Sequence, residues 1–332
     1  MQDVADAAGV SLGTVSNVLN HPAKVGAATA QRVRDAIDQL GFVRNDAARS
    51  LASGSNSSVG MVLADIENSL FIDMAHGAQE AARAKGLNLL LANAACDVAQ
   101  RDGYLDLFDE SRVAGMLLAP MEDATAVILR VRAHGRQIVL LNYAPKPGTC
   151  CSVLVDNAHV GYLAASHLIE TGRTRLAYVA AHEDYQPVSE RRRGIRAAVE
   201  ETGGRVTLEE IDSGGLAEEH GHAVGRKIAA RSPDRIPDGV IAVTDHLAIG
   251  IIHELHVEAG VTVPDQVAVV GCENNRAAGV AAMPLTAVDM PGRAMGQEAM
   301  RLLLDEVADG AHHRHVTVVL EPEIVVRASA PR

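Results

Sequence analysis

Apolar residues recur with one period at the start of this chain and with another beyond it, and the change divides the chain. Over residues 1 to 40 they recur at three- and four-residue intervals, the pattern of short amphipathic helices. "DVADAA" (3–8) is followed by the turn Gly9-Val10-Ser11, then by a segment over 12–19 in which Val15, Val18 and Leu19 share a face. Ser11 is placed to cap that second helix, because its hydroxyl can accept a hydrogen bond from an unsatisfied amide of the first turn. A third helix, over residues 27–40, lines up Val33, Ala36, Ile37 and Leu40 on one face, and Gly41 ends it. Helix, tight glycine-containing turn, helix predicts a helix-turn-helix.

A short Ala/Arg/Leu stretch, "NDAARSLA" (45–52), and a Gly/Ser/Asn linker, "SGSNSS" (53–58), then interrupt the pattern. Beyond them, β-rich apolar runs such as "VGMVLADI", "QIVLLNY", "RLAYVAA" and "VAVVGCE" alternate with helical segments. Runs that are apolar on both faces and separated by helices predict parallel sheets covered on both sides. The chain supplies enough of them for two doubly wound parallel sheets, so the fold class is α/β with a small helical head. The expected domains are 1–44 (head), 45–58 (connecting segment) and 59–332 (core). Within the core, one lobe is expected over 59–155 plus 285–313 and the other over 156–284 plus 316–328. Ligands of open α/β sheets bind beyond the carboxyl ends of the strands, which places a site in the cleft between the lobes.

Composition narrows the class. Of 332 residues, 48% are hydrophobic and 22% charged, and no apolar run approaches the length of a membrane span. Residues 1 to 20 lack the basic start and apolar centre of a signal peptide, so a cytoplasmic protein is expected. Cys96, Cys150, Cys151 and Cys272 show no CxxC spacing and read as reduced thiols. The net charge is −12, but it is unevenly spread. Residues 1–58 carry five basic and five acidic side chains, leaving 25 basic and 37 acidic of the total 30 and 42 for the remainder. The head is neutral and the remainder acidic, a contrast that gives only weak support to nucleic-acid binding by the head.

Catalytic motifs do not emerge: GxGxxG and GxxxxGK[ST] are both missing. "HELH" (253–256) fails as a zinc motif because HExxH requires histidine where Val257 stands. "HHRH" (312–315) offers metal-binding side chains and reads as a polar loop ahead of the last strands. No cofactor, metal or catalytic residue is expected.

In combination, these motifs resemble those of the LacI/GalR family of bacterial transcription regulators along nearly the whole chain. "DVADAAGVSLGTVSNVLN" is similar to the family's helix-turn-helix, and "AIDQLGFVRNDAARSLASG" to its third helix and hinge helix. "VTDHLAIGIIHEL", "VAVVGCENN" and "MPLTAVDMP" are similar to its effector-core signatures. The resemblance implies a repressor that binds a pseudo-palindromic operator in double-stranded DNA as a homodimer. A small-molecule effector, expected to be a sugar or polyol, would switch it from between two lobes like those of periplasmic binding proteins. It also implies that Leu12, Gly13 and Asn17 occupy base-reading positions, with Ser11, Thr14 and Ser16 near phosphates. Asn can pair with an adenine edge and Leu can touch a thymine methyl, whereas Gly13 departs from the usual polar residue and reads nothing. In the hinge, Leu51 would wedge into the minor groove, Ala48 would let two hinges pack closely, and Asn45 and Arg49 would touch backbone or groove. The plainer reading of Leu51 is a linker residue packing on the core.

For the effector, the resemblance carries over Arg191 from "ERRRG", Asp245 and Glu273, and, from the first lobe, Asn68 and Phe71 in "NSLF". Tyr143 and Tyr185 are the other ring-stacking candidates. Arg191 supplies a donor fork and the carboxylates supply acceptors. Each has a plainer reading: the Arg run as a solvated helix face, and Asp245 as the cap of a helix starting at 246. The rival function is a cytoplasmic small-molecule-binding protein whose DNA-binding head is degenerate.

Overall fold

The computed structural model describes residues 1–42, 57–181 and 185–332, which fall into two compact units, Met1–Asn56 and Ser57–Arg332. The first unit contains α1 (Gln2–Ala8), α2 (Leu12–Asn20) and α3 (Ala27–Gln39). Val4, Ala5, Ala8, Val15, Val18 and Val33 form its core, with Leu19, Ile37 and Phe42 packed against them. Two of its helices end in the same way. At α1, Gly9 adopts φ 64° while Val10 N–H donates to Ala5 O; at α3, Gly41 adopts φ 57° while Phe42 N–H donates to Ile37 O. Both close the last turn through a left-handed residue, where glycine has no Cβ to clash. Leu40, expected on the buried face, is instead 48% exposed at the end of α3.

The second unit consists of two six-stranded sheets. The first contains β1 (Ser58–Leu63), β2 (Asn88–Asn93), β3 (Met116–Leu118), β4 (Ile138–Leu141) and β5 (Cys151–Val155), together with β11 (Thr317–Leu320). Its order is β11-β5-β4-β3-β1-β2, parallel throughout. The second contains β6 (Arg175–Ala180), β7 (Thr207–Asp212), β8 (Gly239–Ala242), β9 (Ala268–Gly271) and β10 (Thr286–Asp289), together with β12 (Glu323–Val325). Its order is β12-β10-β9-β8-β6-β7, parallel except for the edge strand β12.

Helices α4 (Ser69–Ala84), α5 (Val98–Glu110) and α6 (Thr125–Ala133) belong to the first lobe, as does α12 (Gly292–Asp309), which packs along α4. In the second lobe, α7 (Asn157–Glu170) packs along α8 (Gln186–Glu200), and α9 (Glu218–Ala229) along α10 (Asp245–Ile252). The short α11 (Arg276–Val280) follows β9. Central strands such as β4 and β8 are buried at every position, as their unbroken apolar runs require. Each Leu or Ile buried there contributes about 1.5–3 kcal/mol relative to exposure.

The expected lobe boundaries need two corrections. Thr286–Asp289 belongs to the second sheet, paired with β9, and Thr317–Leu320 to the first, paired with β5. The chain therefore crosses between lobes after β5, after β10 and after β11. In addition, β2 is an edge strand rather than a doubly covered one: Leu90 and Leu91 are 41% and 52% exposed.

Candidate functional site: a DNA-reading helix and an interlobe cleft

On the head, the Ser11 side chain caps α2 by accepting from Thr14 N–H at 3.1 Å, and its hydroxyl also meets Thr14 Oγ1 at 2.9 Å. Val15 and Val18 face inward, so the opposite face of α2 presents Leu12, Gly13 and Asn17, all exposed, with Ser16 half-buried beside them. Leu12 is 47% exposed among the described residues. The helix thus turns outward the residues expected to read bases. Asn45, Ala48, Arg49 and Leu51 lie outside the described residues.

In the core unit, the carboxyl ends of β1, β4, β8 and β9 converge on a cleft of about 650 Å³, counting the solvent at its mouth. Asn68, Phe71, Arg191 and Glu273 all line it. Asn68 caps α4 by accepting from Leu70 N–H at 3.0 Å, and its amide donates across the cleft to Glu273 Oε2 at 2.9 Å. Phe71, one turn on, supplies an apolar wall.

Arg191 is not on a solvated face; it is 3% exposed. Its guanidinium donates to Asn157 Oδ1 at 3.0 Å and Val243 O at 2.5 Å, contacts Met290 Sδ at 3.0 Å, and lies 3.7 Å from Glu273. Its position follows from the glycine three residues later. A Cβ on Gly194 would lie 1.7 Å from Ala158 O, so only glycine lets α8 press against α7. That close approach brings Arg191 within reach of Asn157 on the neighbouring helix.

Asp245 and Tyr143 do not line the cleft. The cap of α10 is Thr244, whose hydroxyl accepts from Leu247 N–H. Asp245, fully buried, accepts from Glu273 N–H at 3.2 Å and Asn275 N–H at 2.6 Å, and so fixes the loop that carries Glu273. Burial, aided by the nearby Glu273 charge and opposed by these amides, raises its pKa to about 7. Tyr143 packs beside the apolar cluster under α5 and α6, and burial raises its phenol. Tyr185 is buried in the main core.

Sequence reasoning passed over Asn142, Asn157 and the acidic mouth. Asn157 Nδ2 donates to Asn142 Oδ1 at 2.8 Å, a second polar bridge between the lobes. Asn142 stands just after β4 at φ 53°, a conformation Asn tolerates better than most residues. An Asn just beyond an apolar strand was the available signal. Asp65 and Glu67, after β1, add carboxylates to the mouth, opposite Thr244 and His246.

Comparison with known proteins decides the family. Residues 1–45 match the family model described as bacterial regulatory proteins, lacI family, and residues 165–330 match that of a periplasmic binding protein-like domain. The HTH-type transcriptional repressor PurR of Photobacterium profundum is 31% identical over 332 residues, 99% of this chain and 98% of that protein. The chain belongs to the lacI family of bacterial regulatory proteins. It is a ligand-responsive transcriptional regulator and not an enzyme, as its full-length relatives are repressors.

Solved structures of the lacI family share its architecture. The transcriptional regulator CelR in complex with cellobiose superposes with a TM-score of 0.73 at 28% identity, covering 99% of this chain and 98% of that one. The lac repressor dimer bound to operator and the anti-inducer ONPF gives 0.82 at 20% identity, with the same coverage. Among the described residues, no helix is long and apolar enough to cross a membrane.

Proposed function

We propose that this regulator is a cytoplasmic repressor that binds a pseudo-palindromic operator as a homodimer through residues 1–58. A polyhydroxylated small molecule, a sugar or polyol, binds between the lobes and switches it. The observation that carries the reading is the polar bridge across the cleft, Asn68 to Glu273, backed by the buried Arg191. A ligand placed there replaces bonds between the lobes with bonds through itself, and so changes the closure of the core. Carboxylates at Asp65, Glu67 and Glu273 favour a ligand rich in hydroxyl donors, and Phe71 suits the apolar face of a ring. The complex of the related regulator CelR with cellobiose agrees with that class.

The homodimer is supported by the first lobe's edge. There β2 is the edge strand among the described residues, with Leu90 and Leu91 exposed, and Leu107 on the following helix is 51% exposed. Exposed apolar edges of this kind ask for a covering partner.

The test begins with selection of fragmented genomic DNA by the full-length protein at low salt, followed by sequencing of what is retained. Enrichment of one palindrome is expected, and its release by compounds from a sugar and polyol panel would identify the effector class. Release by flat nitrogen heterocycles alone would overturn that class, and no enrichment at low salt, where phosphate contacts are strongest, would overturn the operator reading.

A further inference from the structure

The loop "HHRH" meets strand β5 at the end of the first sheet remote from the cleft. Strands β5 and β11 run parallel, with Thr317 opposite Ser152, so the residues just ahead of β11 lie beside Cys151. Cys151, Glu306, His313 and His315 come together there. Among the described residues they are the one group of three or more Cys, His and acidic side chains whose ligand atoms all lie within 4.8 Å of one another.

The ligand atoms stand within a few tenths of an ångström of the separations in a small metal polyhedron for three of their pairs. Cys151 Sγ is 3.2 Å from His313 Nε2 and 3.8 Å from His315 Nδ1, and His315 Nδ1 is 3.8 Å from Glu306 Oε1. Tetrahedral zinc, bonded at about 2.3 Å to sulfur and about 2.0 Å to nitrogen or oxygen, holds its ligands roughly 3.3–3.6 Å apart.

Two further features suit these side chains to holding a cation. Glu306 is 2% exposed, with Oε1 bonded to Arg132 at 2.5 Å, while its Oε2 is buried without a partner. Orphaned buried acceptors are rare in folded proteins. His313 Nδ1 lies 3.2 Å from Asp309 Oδ2, which leaves Nε2 directed at the thiol. A carboxylate holding the far nitrogen of a histidine is the usual support of a metal-binding imidazole. The charges also balance: a Cys151 thiolate and the Glu306 carboxylate neutralise a dication, and Arg132 offsets Asp309.

We propose that the first lobe carries a zinc-class divalent metal site formed by Cys151, His313, His315 and Glu306. The ion ties the start of β5 to the crossover between α12 and β11, away from the effector cleft. This replaces the sequence-based expectation of a plain polar loop at 312–315.

The test uses full-length protein, reduced and stripped with a chelator, titrated with Co²⁺. One equivalent is expected to produce a near-ultraviolet sulfur-to-cobalt charge-transfer band and intense visible bands of tetrahedral cobalt, both displaced by Zn²⁺. Cys151→Ser removes the charge-transfer band. Because Cys151 is buried and that variant can fail to fold, the more exposed pair His313→Ala with His315→Ala is made as well, and it loses the band with its circular dichroism unchanged. Asp309→Asn, which acts through His313, weakens binding about tenfold or more. No charge-transfer band in the reduced native protein, or a band that survives in the folded double-histidine variant, overturns the proposal.

Discussion

Asn68 Nδ2 donates to Glu273 Oε2 at 2.9 Å, joining the start of α4 in one lobe to the loop after β9 in the other. Hydrogen bonds to charged groups contribute about 1.5–3 kcal/mol, and this one joins the lobes alongside the Asn157–Asn142, Ala144–Gln186 and Arg276–Asp73 bonds. Asn68→Ala is expected to weaken effector binding by about tenfold or more and to increase the radius of gyration in small-angle scattering. Unchanged affinity by calorimetry would show that the bridge is not part of the ligand site.

Gly194 determines where Arg191 stands. On a solvated helix, Gly→Ala stabilises by about 1 kcal/mol; here the new Cβ meets Ala158 O at 1.7 Å. Gly194→Ala is expected to lower core stability by about 1–3 kcal/mol, read as a lower denaturant midpoint, and to weaken effector binding because Arg191 is displaced. A gain in stability would contradict the close approach of α7 and α8.

Asp245 imposes a pH dependence. Its pKa is raised from an ordinary carboxylate value to about 7, with desolvation as the largest cause. Between those two values the folded core binds more protons than the unfolded chain at this site. Its contribution is therefore fully present below about pH 4 and is lost as pH rises towards 7. The stability of the native protein minus that of Asp245→Asn, from urea unfolding at each pH, should fall across that window. A difference that rises with pH would sink the assignment.

Local rules made the head and the strands legible. Ser11 caps as its hydroxyl allows, Val15 and Val18 pack inward, and Leu12, Gly13 and Asn17 are left outside. Information held only in pairing could not be read. Thr286–Asp289 and Thr317–Leu320 are both short β-rich runs, and nothing in either says which sheet receives it, so both were expected in the wrong lobe. From sequence Asp245 reads as a cap or a ligand, yet Thr244 one residue earlier takes the cap and leaves Asp245 to hold two loop amides. The histidines of "HHRH" looked like loop residues because their partner Cys151 lies more than 160 positions away and is brought near only by the pairing of β5 with β11.

The exposed edge of the first lobe gives a test of the dimer. Leu91 is 52% exposed on the edge strand β2. Leu91→Lys is expected to leave the thermal midpoint of the core nearly unchanged, since no buried contact is lost, while shifting sedimentation equilibrium from dimer to monomer. Operator affinity should fall with it, because two heads no longer bind as one unit. A dimer that persists at the same concentration would move the interface elsewhere.

The outer face of α2 separates the two functional readings most directly. Asn17 is exposed and points away from the head's core, so Asn17→Ala should leave the head's fold intact. If it reads an adenine edge, the loss should be about 1–3 kcal/mol of operator binding, confined to one position in each half-site. Gly13 allows the converse experiment, because a Cβ there meets only Ser11 Oγ, at an ordinary 3.7 Å. Gly13→Gln should fold, and should add a base preference at the position next to the one Asn17 reads. Equal binding of native protein and both variants to operator and random DNA, measured by fluorescence anisotropy, would mean that α2 reads no sequence. The head would then be degenerate, and the cleft would be the functional part of the chain.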